Sequence, residues 1–178
     1  MFKHVRAVIM VVLALSLLAP ATALGDSTHE TFMLVLEHPN VAQAPNGDRV
    51  AVTGEGTFGV NPKSVAAAGS FTHMFAGGGS ITGRWTATQL LEYQSYGCGV
   101  VFGETIPANF CGGAVKIRVS LTATTPSGVI TTDGILTVFC LIGPNPPNSA
   151  DEGVTLVIPG IINFNKVVSG ENVYIRND

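Results

Sequence analysis

One histidine stands where hydrogen-bonding or acid–base chemistry could occur in an apolar setting. His73 lies between Phe71 and Phe75, and period-two alternation puts the three side chains on one face of a strand. An imidazole on such a face serves either as a satisfied structural group or as a hydrogen-bonding or acid–base group in a pocket. His73 is therefore the first candidate for contact with a ligand.

Three aromatic residues further along the chain are candidates for the same pocket. Trp85 is the only tryptophan, and Tyr93 and Tyr96 follow it with the carboxylate of Glu92 beside them. Such rings combine a large apolar area with a polar tip that can fix a bound molecule. The sequence thus predicts a ligand-binding set made of His73, Trp85, Tyr93 and Tyr96.

Cysteine chemistry has two interpretations. Cys98 and Cys111 lie near the ends of a long loop, 97–113, and in an oxidising compartment a bond between them would restrain the unfolded chain by about 3 kcal/mol. Cys140 makes the count odd, so three single bridges are possible, and we favour Cys98–Cys111. If Cys98 were unbridged, it could act as a nucleophile with His73 as its base.

Other catalytic and metal-binding patterns are missing from the sequence. It contains no G-x-S-x-G elbow, no H-E-x-x-H, no phosphate-binding Walker loop and no EF-hand loop. His29 and His38 flank the first predicted strand, but their odd spacing puts them on opposite faces, which favours solvated imidazoles over a shared metal ion. We predict no catalytic residue, no metal site and no cofactor.

The elements that must position these residues are strands. From Arg49 to Gln89 three alternating runs are separated by the turn sequences NPKS and GGGS, which predicts an antiparallel meander. Glycine interrupts the apolar face of the meander, which marks close approach by another group. These glycines either leave the space that Trp85 fills in a curled sheet or leave a cavity for a ligand; they are Gly54, Gly56, Gly69 and Gly83.

The second half of the chain continues the pattern. Residues 114–125 alternate cleanly and predict a strand with one wet face, residues 134–143 predict a buried strand, and the last segments predict short strands. We expect one all-β domain, a Gly-rich antiparallel β-barrel or β-sandwich of about eight to ten short strands.

The amino terminus predicts export. Lys3 and Arg6 precede an apolar run that ends in Pro20 and an A-x-A site, the pattern of a secretory signal, residues 1–23, cleaved after Ala23. The run is too short to span a bilayer, which takes about 20 apolar residues. The domain of residues 24–178 would then be secreted or periplasmic, with no membrane span. Its acidic balance argues against nucleic acid as a partner.

Three functions are compatible with these features. The leading hypothesis is a non-enzymatic binding module whose barrel mouth, near His73, Trp85 and the 97–113 loop, takes a small apolar ligand. The second is a structural or surface-interaction protein whose edge strands or loops meet a protein partner or another copy of the chain. The third is an enzyme that uses His73 or Cys98.

Overall fold

The computed structural model describes residues 29–177. The predicted signal sequence, residues 1–23, lies outside the described residues. Within them the chain forms twelve strands and no helix: β1 (Thr31–Gln43), β2 (Arg49–Gly59), β3 (Ser64–Met74), β4 (Ser80–Cys98), β5 (Val100–Val101), β6 (Glu104–Thr105), β7 (Phe110–Thr125), β8 (Gly128–Cys140), β9 (Gly153–Ile158), β10 (Ile162–Phe164), β11 (Lys166–Ser169) and β12 (Asn172–Asn177).

The strands form one large antiparallel sheet that closes on itself. β2, β3 and β4 are the predicted meander, β1 pairs with β2, and β4 pairs with β7. The start of β7 pairs with β12, which in turn pairs with β1, so these strands form a ring. Outside this ring, the strands β8, β9 and β10 continue the sheet from β7 in that order, and β11 pairs with the end of β1. The predicted all-β antiparallel fold is confirmed.

The strand count exceeds the predicted eight to ten for two local reasons. The loop between the first two cysteines contains the short hairpin β5–β6, which pairs with itself and not with the main sheet. The chain after Gly153 breaks at its turns into four short strands. The longest strand, β4, has 19 residues, and its pairing with β7 shifts register three times, so β-bulges coil it around the core.

Alternation along the strands builds the core. All five residues predicted to face inward on β7 are buried: Val115, Ile117, Val119, Leu121 and Ala123. Trp85 is 1% exposed, and its indole lies against Gly54 and Gly69, where any larger side chain would collide with it. Gly54 and Gly69 thus make room for tryptophan, whereas Gly56 lies against Ala67 and Gly83 against Phe71.

A disulfide joins Cys98 to Cys111, as predicted. It connects the end of β4 to the start of β7 across the β5–β6 hairpin, and it is compatible with an oxidising extracellular compartment. Cys140 stays outside the bridge and is buried. Among residues 29–177 there is no helix long and apolar enough to cross a membrane.

The barrel has two ends, which we name by residues that lie near them. The His73 end is where β4 begins, because His73 on β3 pairs with Ile81. The disulfide end is where β4 finishes at Cys98.

Candidate functional site

A carboxylate holds the imidazole of His73 in place. Nε2 of His73 lies 2.9 Å from Oδ2 of Asp48, and the backbone N–H of Ala76 donates to Oδ1 of Asp48 at 2.9 Å. The N–H of Ala76, followed by the His73 ring, lowers the pKa of the Asp48 carboxyl. Asp48 is therefore ionised at neutral pH, and the Nε2–H of His73 donates to it.

The turn before β2 positions Asp48. Asn46 Oδ1 accepts from the N–H of Asp48 at 3.1 Å, while the carbonyl of Asp48 accepts from the N–H of Ala44 at 2.8 Å. On the other side of the imidazole, the ring of Phe164 meets it edge-on at 5.1 Å between centroids. The orientation of His73 is thus fixed by a hydrogen bond and by packing.

An apolar cleft of about 130 Å³ opens beside His73. β3, β4, β7, β8 and the β9–β10 hairpin supply its walls, and His73 and Thr132 are its polar side chains. The apolar lining residues are Phe71, Ile81, Leu121, Ala123, Ile130, Ile158, Ile161 and Ile162. At the rim, Ile130 is 52% exposed and Ile161 is 69% exposed, an arrangement that a bound apolar molecule would cover.

Trp85 lies behind this cleft and does not line it. Phe71 and Leu121 are shared between the cleft wall and the packing around the indole. The indole Nε1 donates to the carbonyl of Thr53 at 2.9 Å, so the polar tip of the ring is already satisfied. An occupant of the cleft would therefore contact side chains that also pack near Trp85.

Tyr93 and Tyr96 lie towards the disulfide end, away from His73. The Tyr93 ring packs against Phe32 and Phe58 at 5.2 and 5.0 Å, and its hydroxyl donates to Gly112 O at 3.2 Å. Tyr96 is 3% exposed. Burial raises the pKa of both tyrosine hydroxyls. The predicted set is therefore divided between the two ends of the barrel.

The sulfur of Cys98 is bonded to Cys111, so it carries no thiolate in this structure. Burial raises the pKa of the Cys140 thiol to about 12, and its Sγ lies 3.1 Å from the carbonyl oxygen of Asn172. Neither thiol is available as a nucleophile in this state.

Exposed acidic and histidine side chains meet on β1 and before β12. Nδ1 of His38 lies 3.2 Å from Oε2 of Glu171, and Glu37 completes a group whose possible ligand atoms lie within 4.8 Å of one another. The sequence did not predict this group, because a bulge in β1 between Leu36 and Asn40 changes the direction of the intervening side chains. All three residues are exposed.

Sequence reasoning missed two structural partners, Asp48 and Glu152. Asp48 belongs to the turn sequence before β2, but parity continues its face onto Val50, which pairs with His73. Glu152 stands in a proline-rich, acidic stretch typical of a solvated loop, yet its two oxygens accept the backbone N–H groups of Leu141 and Asn172. Parity could have identified the first partner, whereas no local signal marks the second.

Comparison of the chain with models of known protein families, with curated proteins and with solved structures finds no match to any of them.

Proposed function

We propose that the protein is an exported, non-enzymatic binding module whose cleft at the His73 end takes a small apolar molecule with one hydroxyl group. The observation that carries this proposal is a cleft walled by eight apolar side chains beside an imidazole held by a buried carboxylate. Such a pocket, mostly apolar with few oriented polar groups, is the usual form of a small-molecule site.

The volume of the cleft limits the apolar part of the ligand. An apolar cavity of roughly 150 Å³ holds benzene, and this cleft measures about 130 Å³. A single six-membered ring or a chain of similar volume therefore fits. A longer ligand would extend across the exposed side chain of Ile161.

The hydrogen bonding of His73 indicates which polar group the ligand carries. Because Nε2 donates to Asp48, the neutral ring presents Nδ1 as an acceptor, and Nδ1 has no hydrogen-bond partner within residues 29–177. A ligand that donates a hydroxyl proton satisfies this nitrogen, whereas a ketone of the same shape cannot.

Titration with cyclohexanol, cyclohexanone and methylcyclohexane tests the proposal, with amide chemical shifts and Trp85 fluorescence as readouts. We expect shifts at cleft residues and a preference for the alcohol that His73→Phe removes. Ile130→Ser should weaken binding roughly tenfold through lost apolar contact. Val129→Ser is the matched control, because Val129 is 68% exposed and lies outside the cleft lining. Absence of shifts at the cleft with all three compounds would reject the proposal.

A second candidate function is association with another copy of the chain. The observation that favours it is the exposure of Val129, Ile130 and Ile161 at the same end of the barrel. Analytical ultracentrifugation distinguishes it: a dimer that dissociates in the Val129→Ser and Ile161→Ser variants supports association, and a monomer at all concentrations rejects it.

Export is part of the proposal and rests on the signal pattern and the disulfide. Intact mass of the protein recovered outside the cytoplasm should correspond to a chain that begins at Leu24. Recovery of the full-length chain in the cytoplasm would contradict it.

A further inference from the structure

A second cleft, of about 450 Å³, lies at the disulfide end, far from the cleft of the proposed function. Three carboxylates line it: Glu37, Glu152 and Glu171. No lysine or arginine is among its lining residues in the described part of the chain. Apart from Asn172, the remaining lining residues are apolar and include Phe102 and Phe110. The cleft therefore combines negative charge with apolar and aromatic surface.

The carboxylates differ in their partners. Glu152 accepts backbone N–H groups from Leu141 and Asn172, which fixes its side chain at the base of the cleft. Desolvation and the nearby charges of Glu171 and Glu37 raise its pKa to about 7. At the rim Glu171 faces His38 and is 63% exposed. A cation in the cleft would relieve this repulsion between like charges.

Asn172 adds an acceptor without a donor. Its side chain is buried, and its Nδ2 donates towards Asn40 Oδ1, Phe139 O and Gly153 O at 2.9 to 3.2 Å. Its Oδ1 has no partner among the described residues, although Asn172 lines the cleft. A buried acceptor left unpaired is unfavourable, so this oxygen points to a missing N–H or O–H donor.

The rim carries an aromatic side chain in a strained position. Phe102 has φ +49° and, with Gly103, forms the two-residue turn of the β5–β6 hairpin, yet its side chain is 89% exposed. Positive φ is unfavourable for such a residue, and exposure gives it no packing in return. The disulfide between Cys98 and Cys111 anchors this hairpin beside the carboxylates.

We propose that this cleft binds an organic cation, a primary ammonium group on an apolar chain such as a lysine side chain presents. The carboxylates attract the charge, Asn172 Oδ1 accepts one N–H, and Phe102 and Phe110 cover the chain and offer ring faces to the cation. Apolar and aromatic walls match an alkylammonium better than a hydrated metal ion.

The test is calorimetric titration of the full exported chain with n-hexylammonium, hexan-1-ol and hexanoate. We expect n-hexylammonium to bind with a dissociation constant on the order of 1 mM, typical of so small a ligand, and to bind at least tenfold more tightly than the other two. The double variant Glu37→Gln/Glu171→Gln should weaken n-hexylammonium at least fivefold. The matched control is Glu55→Gln, an exposed carboxylate elsewhere on β2.

Phe102→Asn separates ligand contact from folding, because asparagine accepts positive φ at a turn. We expect this variant to fold and to bind n-hexylammonium at least threefold more weakly. Asn172 is left intact, since its Nδ2 supports the core. Equal binding of hexan-1-ol, equal effects of Glu55→Gln and the double variant, or binding of Ca²⁺ without n-hexylammonium would each overturn the proposal. Ile130 lies outside the lining of this cleft, so Ile130→Ser tests the proposed function alone. A failure to bind n-hexylammonium is therefore distinguishable from a failure of the proposed function.

Discussion

Oδ2 of Asp48 lies 2.9 Å from Nε2 of His73, although 25 positions separate the two residues in the chain. The β2–β3 pairing, in which Val50 faces His73, brings the turn before β2 alongside the end of β3. The side chain of His73 is 20% exposed and that of Asp48 is 12% exposed. The pair therefore links the turn before β2 to the end of β3 and keeps an oriented imidazole beside the apolar cleft.

Removal of the Asp48 carboxylate should destabilise the His73 end of the barrel. Asp48→Ala leaves the N–H of Ala76 and the ring of His73 without their acceptor, so we expect a lower urea midpoint. Because the pKa of Asp48 is lowered in the folded state, its contribution is present above about pH 4 and is lost as pH falls further. Urea unfolding at pH 7 measures the effect. Asp133→Ala, at an exposed carboxylate on β8, is the control, and an equal midpoint shift would contradict this role.

The contact between Trp85 and its glycines should be intolerant of one extra methyl group. A Cβ at Gly69 would lie 2.6 Å from Trp85 Nε1 and would also meet Gly54 and the carbonyl of Thr53. We expect Gly69→Ala to cost about 3 kcal/mol of unfolding free energy through overpacking. Gly77→Ala is the control, since its Cβ meets nothing within 4 Å, and should change stability by less than about 0.5 kcal/mol. Trp85 fluorescence during urea unfolding reports both.

Alkylation should distinguish the three cysteines. Cys140 is buried with a pKa raised to about 12, and Cys98 is bonded to Cys111. We expect no label on the native protein at pH 8, one label after unfolding without reductant, and three labels after unfolding with reductant. Intact mass after iodoacetamide treatment counts them. Three labels without reductant would show that the bridge is absent from the isolated protein.

Much of the wall of the barrel was predictable because alternation is a local property. Runs such as Val115 to Ala123 have one apolar face, so their burial follows from the sequence pattern alone. The disulfide followed from loop length and cysteine position. These features depend on residues that are neighbours in the chain.

Three bulges explain why the sequence of the end of β4 lacks the alternation of apolar and polar residues that is typical of a strand. Pairing with β7 shifts between Ala87 and Gln89, between Leu90 and Glu92, and between Ser95 and Gly97. Each shift reverses which residues face inward, so alternation fails although the strand continues. The first two shifts cancel, so Tyr93 faces inward as Trp85 does. Tyr93 lies far from His73 because His73 pairs with Ile81, near the start of the long strand β4.

Long-range hydrogen bonds were beyond prediction for a related reason. Glu152 acts through backbone N–H groups of Leu141 and Asn172, and any residue type at those positions would supply the same donors. Sequence identity at the donor sites therefore carries no signal. Only the closed sheet, which brings the end of β8 to the start of β12, makes Glu152 a partly buried connecting residue.

That burial should make stability depend on pH in an unusual direction for a carboxylate. Desolvation raises the pKa of Glu152 from 4.5 to about 7, and the two backbone donors do not offset it. A raised carboxyl pKa means that the folded state holds the proton more tightly than the unfolded state. Stability is therefore highest below about pH 4.5 for this group and falls as pH rises to 7.

We expect the free energy of unfolding to fall by about 1 to 3 kcal/mol as the Glu152 carboxyl ionises. The partial exposure of Glu152 to solvent makes this loss smaller than the pKa shift alone would give. Urea unfolding between pH 5 and 7.5 measures it, with Glu152→Gln as the variant that removes the titrating group. The variant should show a smaller slope of unfolding free energy against pH over this range, whereas Glu55→Gln should keep the wild-type slope. If Glu152→Gln and the wild type have the same slope, another group is responsible and the carboxyl of Glu152 is ionised throughout. Addition of n-hexylammonium should reduce the wild-type slope as well, because a bound cation favours the ionised carboxylate.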